Sequence, residues 1–423
     1  MARRRLLFAV MLDVVALAIA LELASLATFG RVLPASPQGS AWVMVGAMGG
    51  GGLFALYLMF RSLSGGIPRP SYGRAFSMVG IMLGVTTTVI VFSRAFWSRG
   101  FVLTAAAVWL GIGMAHRWVR RRRPWAETMV LVTAEKSLID HMLAAPHAEV
   151  QAVLDPAGVA PDDPLHPGTT IAVDLRAVLS DEMARFVSSC NLAGYPTRSL
   201  VSAYEQHTGR LPIVHLMEGW ELTVPLSSRG QYVRLKRFMD TVLVLLASPI
   251  ALFLGLVIAT AIKIDSRGPV VFKQRRIGLE GRAFTLYKFR TMHDRAGQSA
   301  QFAARGDSRL TGVGKVLRRL RIDELPQLWN VLRGDLSLVG PRPEQGPFVD
   351  RFSETIPFYT HRHLVRPGIS GWAQVNFGYA DSEADTIEKL SYDLYYIKHV
   401  SPWLDLEILG RSVWTVMSGF GAR

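Results

Sequence analysis

Residues 242–262 read VLVLLASPIALFLGLVIATAI, an uncharged run long enough to cross a bilayer, which takes about 20 residues. How this run is read decides the fold. If it crosses, everything after it lies on the far side, and its flanks should differ in positive charge. They do not: Arg234, Lys236 and Arg237 precede it, and Lys263, Arg267, Lys273, Arg275 and Arg276 follow it. Pro249, near the middle, has no amide proton and kinks a helix, and Ser248 before it can hydrogen-bond to freed backbone groups. A helix broken at Ser248 and Pro249, entering the cytoplasmic leaflet over about 238–263 and returning, is therefore expected. A proline-kinked true span is the alternative.

Working outward toward the N-terminus, four further segments are apolar enough to span: roughly 6–29, 41–60, 75–92 and 101–119. The first, behind Arg3 to Arg5, has the outline of a signal peptide. Its apolar region is too long and no small-residue cleavage site follows, so a retained span is expected. Basic residues gather at Arg3 to Arg5, at Arg61, Arg69 and Arg74, and at Arg117 and Arg120 to Arg123, while the alternate loops hold only Arg31, Arg94 and Arg99. The positive-inside bias then places both ends of this bundle in the cytoplasm. The composition agrees, since 50% of the chain is hydrophobic and mean hydropathy is +0.24.

The 423 residues allow two or three domains, and the net charge of +14 suits a membrane surface, nucleic acid or anionic substrates. No nucleic-acid partner is expected, because the arginines flank apolar segments and no nucleic-acid module is present. The single cysteine, Cys190, excludes an internal disulfide and a cysteine-built zinc site. Between 126 and 220 the apolar runs MVLVTA, VQAVLD, TIAVDL and LPIVHLM alternate with helix-like stretches such as SLIDHMLAA and DEMARFVSSCNLAG, the pattern of a small α/β domain. The turn after its first strand reads AEKS rather than Gly-x-Gly-x-x-Gly, so a degenerate Rossmann-like domain without a dinucleotide site is expected. Its expected role is self-association.

The chemistry concentrates in RRLRIDELPQLWNVLRGDLSLVGPRP, residues 318–343. Apolar residues at 313, 316, 317, 320, 325, 328, 329 and 332 follow helical spacing, interrupted by Pro326. One helix should end near Ile322 and another begin, leaving Asp323 and Glu324 at the junction, where a helix N-terminus stabilises negative charge. Two adjacent carboxylates share a pocket only when cations compensate them. Mg²⁺ is a fitting partner, since it takes one or two carboxylates together with phosphate oxygens. One carboxylate would then attack while the other holds the metal. Arg342 in GPRP, Arg366 in VRPGISGWAQV and Arg318 ahead of the pair are candidates for phosphate or substrate binding. A solvated surface pair is the plain alternative.

KRFMD, the apolar run with its Ser-Pro, KIDSRGPVVFKQRRIG, YKFRTM, RIDELPQLWNVLRGDLSLVGPRP, RPGISGWAQVN and YDLYYIKH follow one another through 234–423. In this order they resemble the bacterial sugar transferases, the monotopic phosphoglycosyl transferases that start surface-glycan assembly. The four spans and the α/β domain resemble the long form of that family, and the run 381–399 resembles exopolysaccharide-associated members. The resemblance implies a membrane protein of class α plus α/β: a four-helix transmembrane bundle (1–125), the Rossmann-like domain (126–220), and a mainly helical cytoplasmic catalytic domain with a re-entrant membrane helix (221–423).

The resemblance further implies Asp323 as nucleophile on the sugar-bearing phosphorus of a UDP-sugar, with Glu324 as the Mg²⁺ ligand and second catalytic carboxylate. Arg318 and Arg342 match basic residues near the phosphates, and Ser248 and Pro249 match the membrane break. The acceptor would be undecaprenyl phosphate, the product the undecaprenyl-diphosphate sugar, and the location the bacterial inner membrane among its lipids. Many relatives have Gly-Arg after AQVN, whereas this chain reads Asn376-Phe377-Gly378-Tyr379, which leaves the sugar open. UDP-glucose is expected, with UDP-galactose or an N-acetylated amino sugar as alternatives. A conventional glycosyltransferase and a non-enzymatic scaffold are the rival classes. A homo-oligomer through the middle domain is also expected.

Overall fold

The computed structural model describes residues 2–33, 41–61, 72–93, 98–122, 126–161, 165–216, 226–293, 310–377 and 382–418. Arg69, Arg94, Arg123, Met217, Gly378, Tyr379 and Asp381, and the side chains of Arg3 to Arg5, Arg61, Arg121 and Arg122, lie outside the described residues. The chain divides into two compact units, Met1–Ala203 and Tyr204–Arg423.

The first unit opens with four helices, α1 (Ala2–Phe29), α2 (Ala41–Arg61), α3 (Tyr72–Ser93) and α4 (Arg99–Arg122), in which α1 packs on α4 and α2 on α3. Their common core is built from small or flexible side chains, including Ala16, Ala20, Ala24, Met44, Met48 and Met82, closed by Phe101 and Trp109. Helices in lipid associate by close packing rather than by expelling water, which favours small residues. At Gly52 a Cβ would stand 2.5 Å from Leu17 Cδ2, so glycine admits that approach. Charge inside the bundle is paired: Arg117 Nη1 and Nη2 donate to the two oxygens of Asp13 at 2.8 Å each.

Among the described residues, the helices long and apolar enough to cross a membrane are Phe8–Phe29, Gly73–Ser93 and Arg99–Arg120, together with Tyr232–Asp265 in the second unit. The apolar part of α2, Trp42–Leu58, is shorter. All four expected N-terminal spans are helical, but the set of four that meets the length requirement includes the Pro249 helix in place of α2.

The rest of the first unit is a parallel sheet in the order β2-β1-β3-β4, from β1 (Glu127–Val132), β2 (Ala148–Leu154), β3 (Thr170–Val173) and β4 (Thr197–Ser199). Helices α5 (Lys136–Leu143) and α6 (Asp181–Leu192) follow β1 and β3, and α7 (Leu200–Thr208) follows β4. Three of the four expected strands form. The fourth, LPIVHLM, does not: Ile213–His215 is a short 3-10 turn, and the last strand is Thr197–Ser199. Leu211 is instead buried in the second unit, its amide donating to the Ser391 carbonyl at 3.0 Å, and Pro212 has no amide to offer a ladder.

The second unit contains α8 (Leu226–Asp265), a helix assigned without interruption through Pro249. After it come the antiparallel hairpin β5 (Val271–Ile277) and β6 (Ala283–Phe289), α9 (Gly312–Arg319) and α10 (Gln327–Arg333). Strand β7 (Ser337–Val339) pairs in parallel with β8 (Gly368–Ser370), with α11 (Gly346–Thr355) between them in sequence. Helices α12 (Trp372–Asn376), α13 (Glu383–His399) and α14 (Pro402–Ser418) complete it. Tyr359, Trp372, Leu390, Tyr396 and Ile408 form the main core. Two smaller clusters join α8 to the site: Val244 packs with Leu286, Val331 and Leu336, and Ile262 with Phe289 and Leu317. Between these anchors Leu246, Ile250, Leu252, Phe253 and Leu256 are all exposed.

Candidate active site

The carboxylate pair sits where two helices are forced apart. Helix α9 ends at Arg319, three residues before the expected end, because Arg321 turns into the left-handed region (φ 53°). A 3-10 turn, Ile322–Glu324, then carries Asp323 and Glu324. Gly314 sets α9 tightly against the chain leaving β6: a Cβ there would stand 2.1 Å from the Thr291 carbonyl oxygen. The expected help from a helix N-terminus is slight, since α10 has only seven residues. Side-chain cations supply the compensation instead.

Glu324 Oε1 accepts from Arg342 Nη2 at 2.7 Å and from Lys288 Nζ at 3.2 Å. Lys288 comes from β6, whose edge is tied to α10 by the fully buried Asn330: its Oδ1 accepts from the Tyr287 amide (3.1 Å), and its Nδ2 donates to the Thr285 carbonyl (2.7 Å). Arg342 follows β7, where the chain crosses the β8 segment almost in contact. A Cβ on Gly368 would stand 2.0 Å from the Gly340 amide nitrogen, which explains glycine in both GPRP and RPGIS. Behind it Arg362, itself buried, donates to the Arg342 carbonyl (3.0 Å) and to Asp393 Oδ2 (2.8 Å), fixing the loop that presents the Arg342 guanidinium.

The two carboxylates are thereby made unequal. Asp323 is buried and, among the described residues, makes no hydrogen bond or ion pair. Burial and the charge of Glu324 raise its pKa, against the pull of Lys288, Arg342 and Arg318. Glu324 is pushed upward by burial, but Arg342 and Lys288 outweigh that and hold it far below the usual carboxylate range. Burial lowers Lys288 as well, and it lowers Arg276, on β5, to about 10. Arg276 donates to the Pro343 carbonyl at 3.0 Å, just past Arg342.

Asp323, Glu324, Arg342 and Arg318 are brought into one electrostatic neighbourhood, with Arg318 Nε donating to Thr291 Oγ1 at 3.0 Å. Arg366 is placed differently. Its Nε donates to the Gly334 carbonyl at 3.1 Å, where Arg237 also donates to the carbonyls of Val331 and Leu332, so the two cap the C-terminus of α10. Ser248 Oγ donates to the Leu245 carbonyl at 2.7 Å within α8, beside Pro249. The sequence reading passed over Lys288 and Arg362. Lys288 lay in the quoted motif YKFRTM, and strand alternation there gives no sign that a lysine turns inward.

A buried acidic pair ringed by lysine and arginine stands in a unit that also holds a helix long and apolar enough to cross a membrane. The family model for bacterial sugar transferase matches residues 231–419. The UDP-N-acetylgalactosamine-undecaprenyl-phosphate N-acetylgalactosaminephosphotransferase of Aeromonas hydrophila is 50% identical over 260 residues, 60% of either chain. The UDP-glucose:undecaprenyl-phosphate glucose-1-phosphate transferase of Xanthomonas campestris pv. campestris is 41% identical over 50% of this chain and 43% of its own. A protein of the same description from Caulobacter vibrioides is 45% identical over 42% of this chain and 68% of its own. The chain belongs to the bacterial sugar transferase family. It spans about half the length of the first two relatives.

Proposed function

We propose that the chain transfers a sugar 1-phosphate from a UDP-sugar to undecaprenyl phosphate, releasing UMP, as the first membrane step of exopolysaccharide or capsule assembly. The observation that carries this is the inequality of the pair: Glu324 is engaged by two cations while Asp323 beside it has no partner among the described residues. An unpartnered carboxylate in a cationic pocket suits a nucleophile. Asp323 attacks the sugar-bearing phosphorus and UMP departs; the polyprenyl phosphate then attacks that phosphorus and Asp323 leaves. Lys288, Arg342 and Arg318 stabilise charge on the phosphoryl oxygens. Neither half requires a general base on a sugar hydroxyl.

Among the described residues no three His, Cys, Asp or Glu gather to hold a metal. Magnesium bound through one carboxylate and substrate phosphates fits this donor set, with Glu324 Oε2, which accepts from no described residue, as the protein ligand. The ion would supply charge neutralisation at the diphosphate.

The re-entrant reading of α8 is supported by its anchors. In a straight helix Val244 and Ile262 would be about 27 Å apart, yet their clusters are built on Leu286 and Phe289, which a strand separates by about 10 Å. A bend at Ser248 and Pro249 reconciles the two. It dips the exposed apolar middle into the inner leaflet of the bacterial inner membrane and keeps the site on the cytoplasmic side. The exposed Val316, Leu320 and Trp329 beside Arg319 and Arg321 suit contact with lipid headgroups. The sheet order β2-β1-β3-β4 supports a Rossmann-like middle domain, for which we retain self-association as the role and 126–220 as the bounds. The bundle over 1–125 and the catalytic domain over 221–423 complete that division.

For the sugar, the 381–399 run favours glucose. The 50% identity over 260 residues to an N-acetylgalactosamine enzyme favours the amino-sugar reading. Nucleotide release from a panel of UDP-sugars, with Mg²⁺, undecaprenyl phosphate and an Asp323→Asn control, separates these. UMP from one donor, absent in the control, is the expected result. UDP in its place would indicate a conventional glycosyltransferase, and silence across the panel from folded protein a scaffold.

A further inference from the structure

One buried polar group at the site has no structural explanation. Gln327, at the first position of α10, is only 2% exposed, and its amide nitrogen is buried without a hydrogen-bond partner among the described residues. A buried amide left unpaired costs about 1–3 kcal/mol, so such groups call for a reason. Asn330, three residues on, gives the contrast: its oxygen accepts from the Tyr287 amide, and its nitrogen donates to the Thr285 carbonyl and to Asp335 Oδ2. That amide is part of the framework. Gln327 is not used in this way.

The local backbone brings Gln327 to the nucleophile. From Ile322 onward the chain is right-handed helical through Leu325 (φ −52°, ψ −39°) and Pro326 (φ −62°, ψ −15°) into α10. The Leu325, Leu328 and Trp329 amides donate three residues back, to Ile322, Leu325 and Pro326. Residues three apart on such a path eclipse one another, so Gln327 stacks one turn from Glu324, next to Asp323, and Asp323 and Gln327 are both buried. A phosphoryl group carried on Asp323 would form beside that face.

We propose that Gln327 is a catalytic donor: its side-chain amide hydrogen-bonds a non-bridging oxygen of the phosphosugar as it passes to Asp323. This rests on the reading of Asp323 as nucleophile. In that step an Asp323 oxygen forms a bond to the sugar-bearing phosphorus while the bond from that phosphorus to the bridging oxygen breaks. The bridging oxygen and its electron pair leave with UMP, and the carboxylate gains and loses no proton. The charge that accumulates on the non-bridging oxygens is what the orphan amide, already desolvated, is placed to meet.

The test compares wild type, Gln327→Met and Gln327→Glu as full-length protein. Two readouts are used: the UMP burst from a UDP-sugar with Mg²⁺ and no polyprenyl acceptor, and thermal unfolding. Methionine fills the same space without the unpaired amide, so the expected result is an unfolding temperature equal to or above wild type with a burst rate constant lower by roughly 100-fold. Glutamate keeps the shape but removes the donor, and is expected to slow the burst as well. An unchanged burst in both folded variants overturns the proposal. So does a fall in unfolding temperature that accounts for the lost activity, since that marks a structural role. If wild type itself releases no UMP and acquires no phosphosugar, the reading of Asp323 fails first and separately.

Discussion

Arg342 Nη2 donates to Glu324 Oε1 at 2.7 Å, inside the site, from a loop whose carbonyl is held in turn by Arg362. The arginine therefore orders the carboxylate and places its positive charge at the pair. Arg342→Ala should lower kcat/KM by roughly 100-fold or more, the usual effect of removing a donor to developing charge. Arg366→Ala gives the contrast. It removes a cap from α10, so a stability loss of about 1 kcal/mol is expected, with little change in KM for the UDP-sugar. Kinetics and thermal unfolding of the two variants together check the distinction.

The acid limb of the reaction should report Asp323. As the proposed nucleophile it must be ionised to react, and burial with the neighbouring Glu324 raises its pKa, so the limb should lie above the ordinary value of 3.8. Lys288 opposes that rise, and Lys288→Met is expected to move the limb to still higher pH. The linkage has a matching sign: a raised carboxylate pKa contributes stability at low pH that is lost as pH increases through it. A UMP-burst pH profile in which the limb stays fixed or moves down would assign the titration to another group.

Asp393 and Arg362 form a buried pair behind the Arg342 loop, at 2.8 Å. Asp393→Ala leaves the buried guanidinium only Glu344, 3.8 Å away, as a counter-charge, and a loss toward the lower end of about 3–5 kcal/mol is expected. Chemical unfolding of the solubilised protein reads this directly. Loss of less than about 1 kcal/mol would mean that the pair is replaceable by solvent.

Pro249→Leu supplies the amide proton that a straight helix needs. If the bend is what brings both arms of α8 to one hairpin, this variant should favour a full span and move the catalytic domain across the membrane. Labelling of an Ile264→Cys site from either side of sealed vesicles measures it. Identical labelling in the presence and absence of Pro249→Leu would show that Pro249 does not decide whether α8 crosses.

Chelation should abolish transfer and added Mg²⁺ restore it, with Glu324→Gln raising the Mg²⁺ concentration needed. Full activity in a chelator would remove magnesium from the account.

The sequence carried the parts of this fold that periodicity encodes. Long apolar runs set α1 to α4 and α8, short apolar runs between helix-like stretches set β1 to β3, and Pro326 marked the junction that holds Asp323 and Glu324. What it hid were tertiary relations. LPIVHLM is an apolar run of strand length, yet Leu211 is committed to the core around α13. Arg366 carries the same Arg-Pro context as Arg342, but the near-contact of Gly340 and Gly368 sends their side chains to different ends of α10. Lys288 became a site residue only because Asn330 fastens β6 to α10.

The most direct measurement is the intact mass of the protein after incubation with the active UDP-sugar and Mg²⁺, without polyprenyl phosphate. A gain equal to one sugar phosphate is expected, localised to Asp323, absent in Asp323→Asn, and discharged when the acceptor is added. Release of UMP only when acceptor is present, with no mass gain at any time, would contradict a covalent intermediate on Asp323.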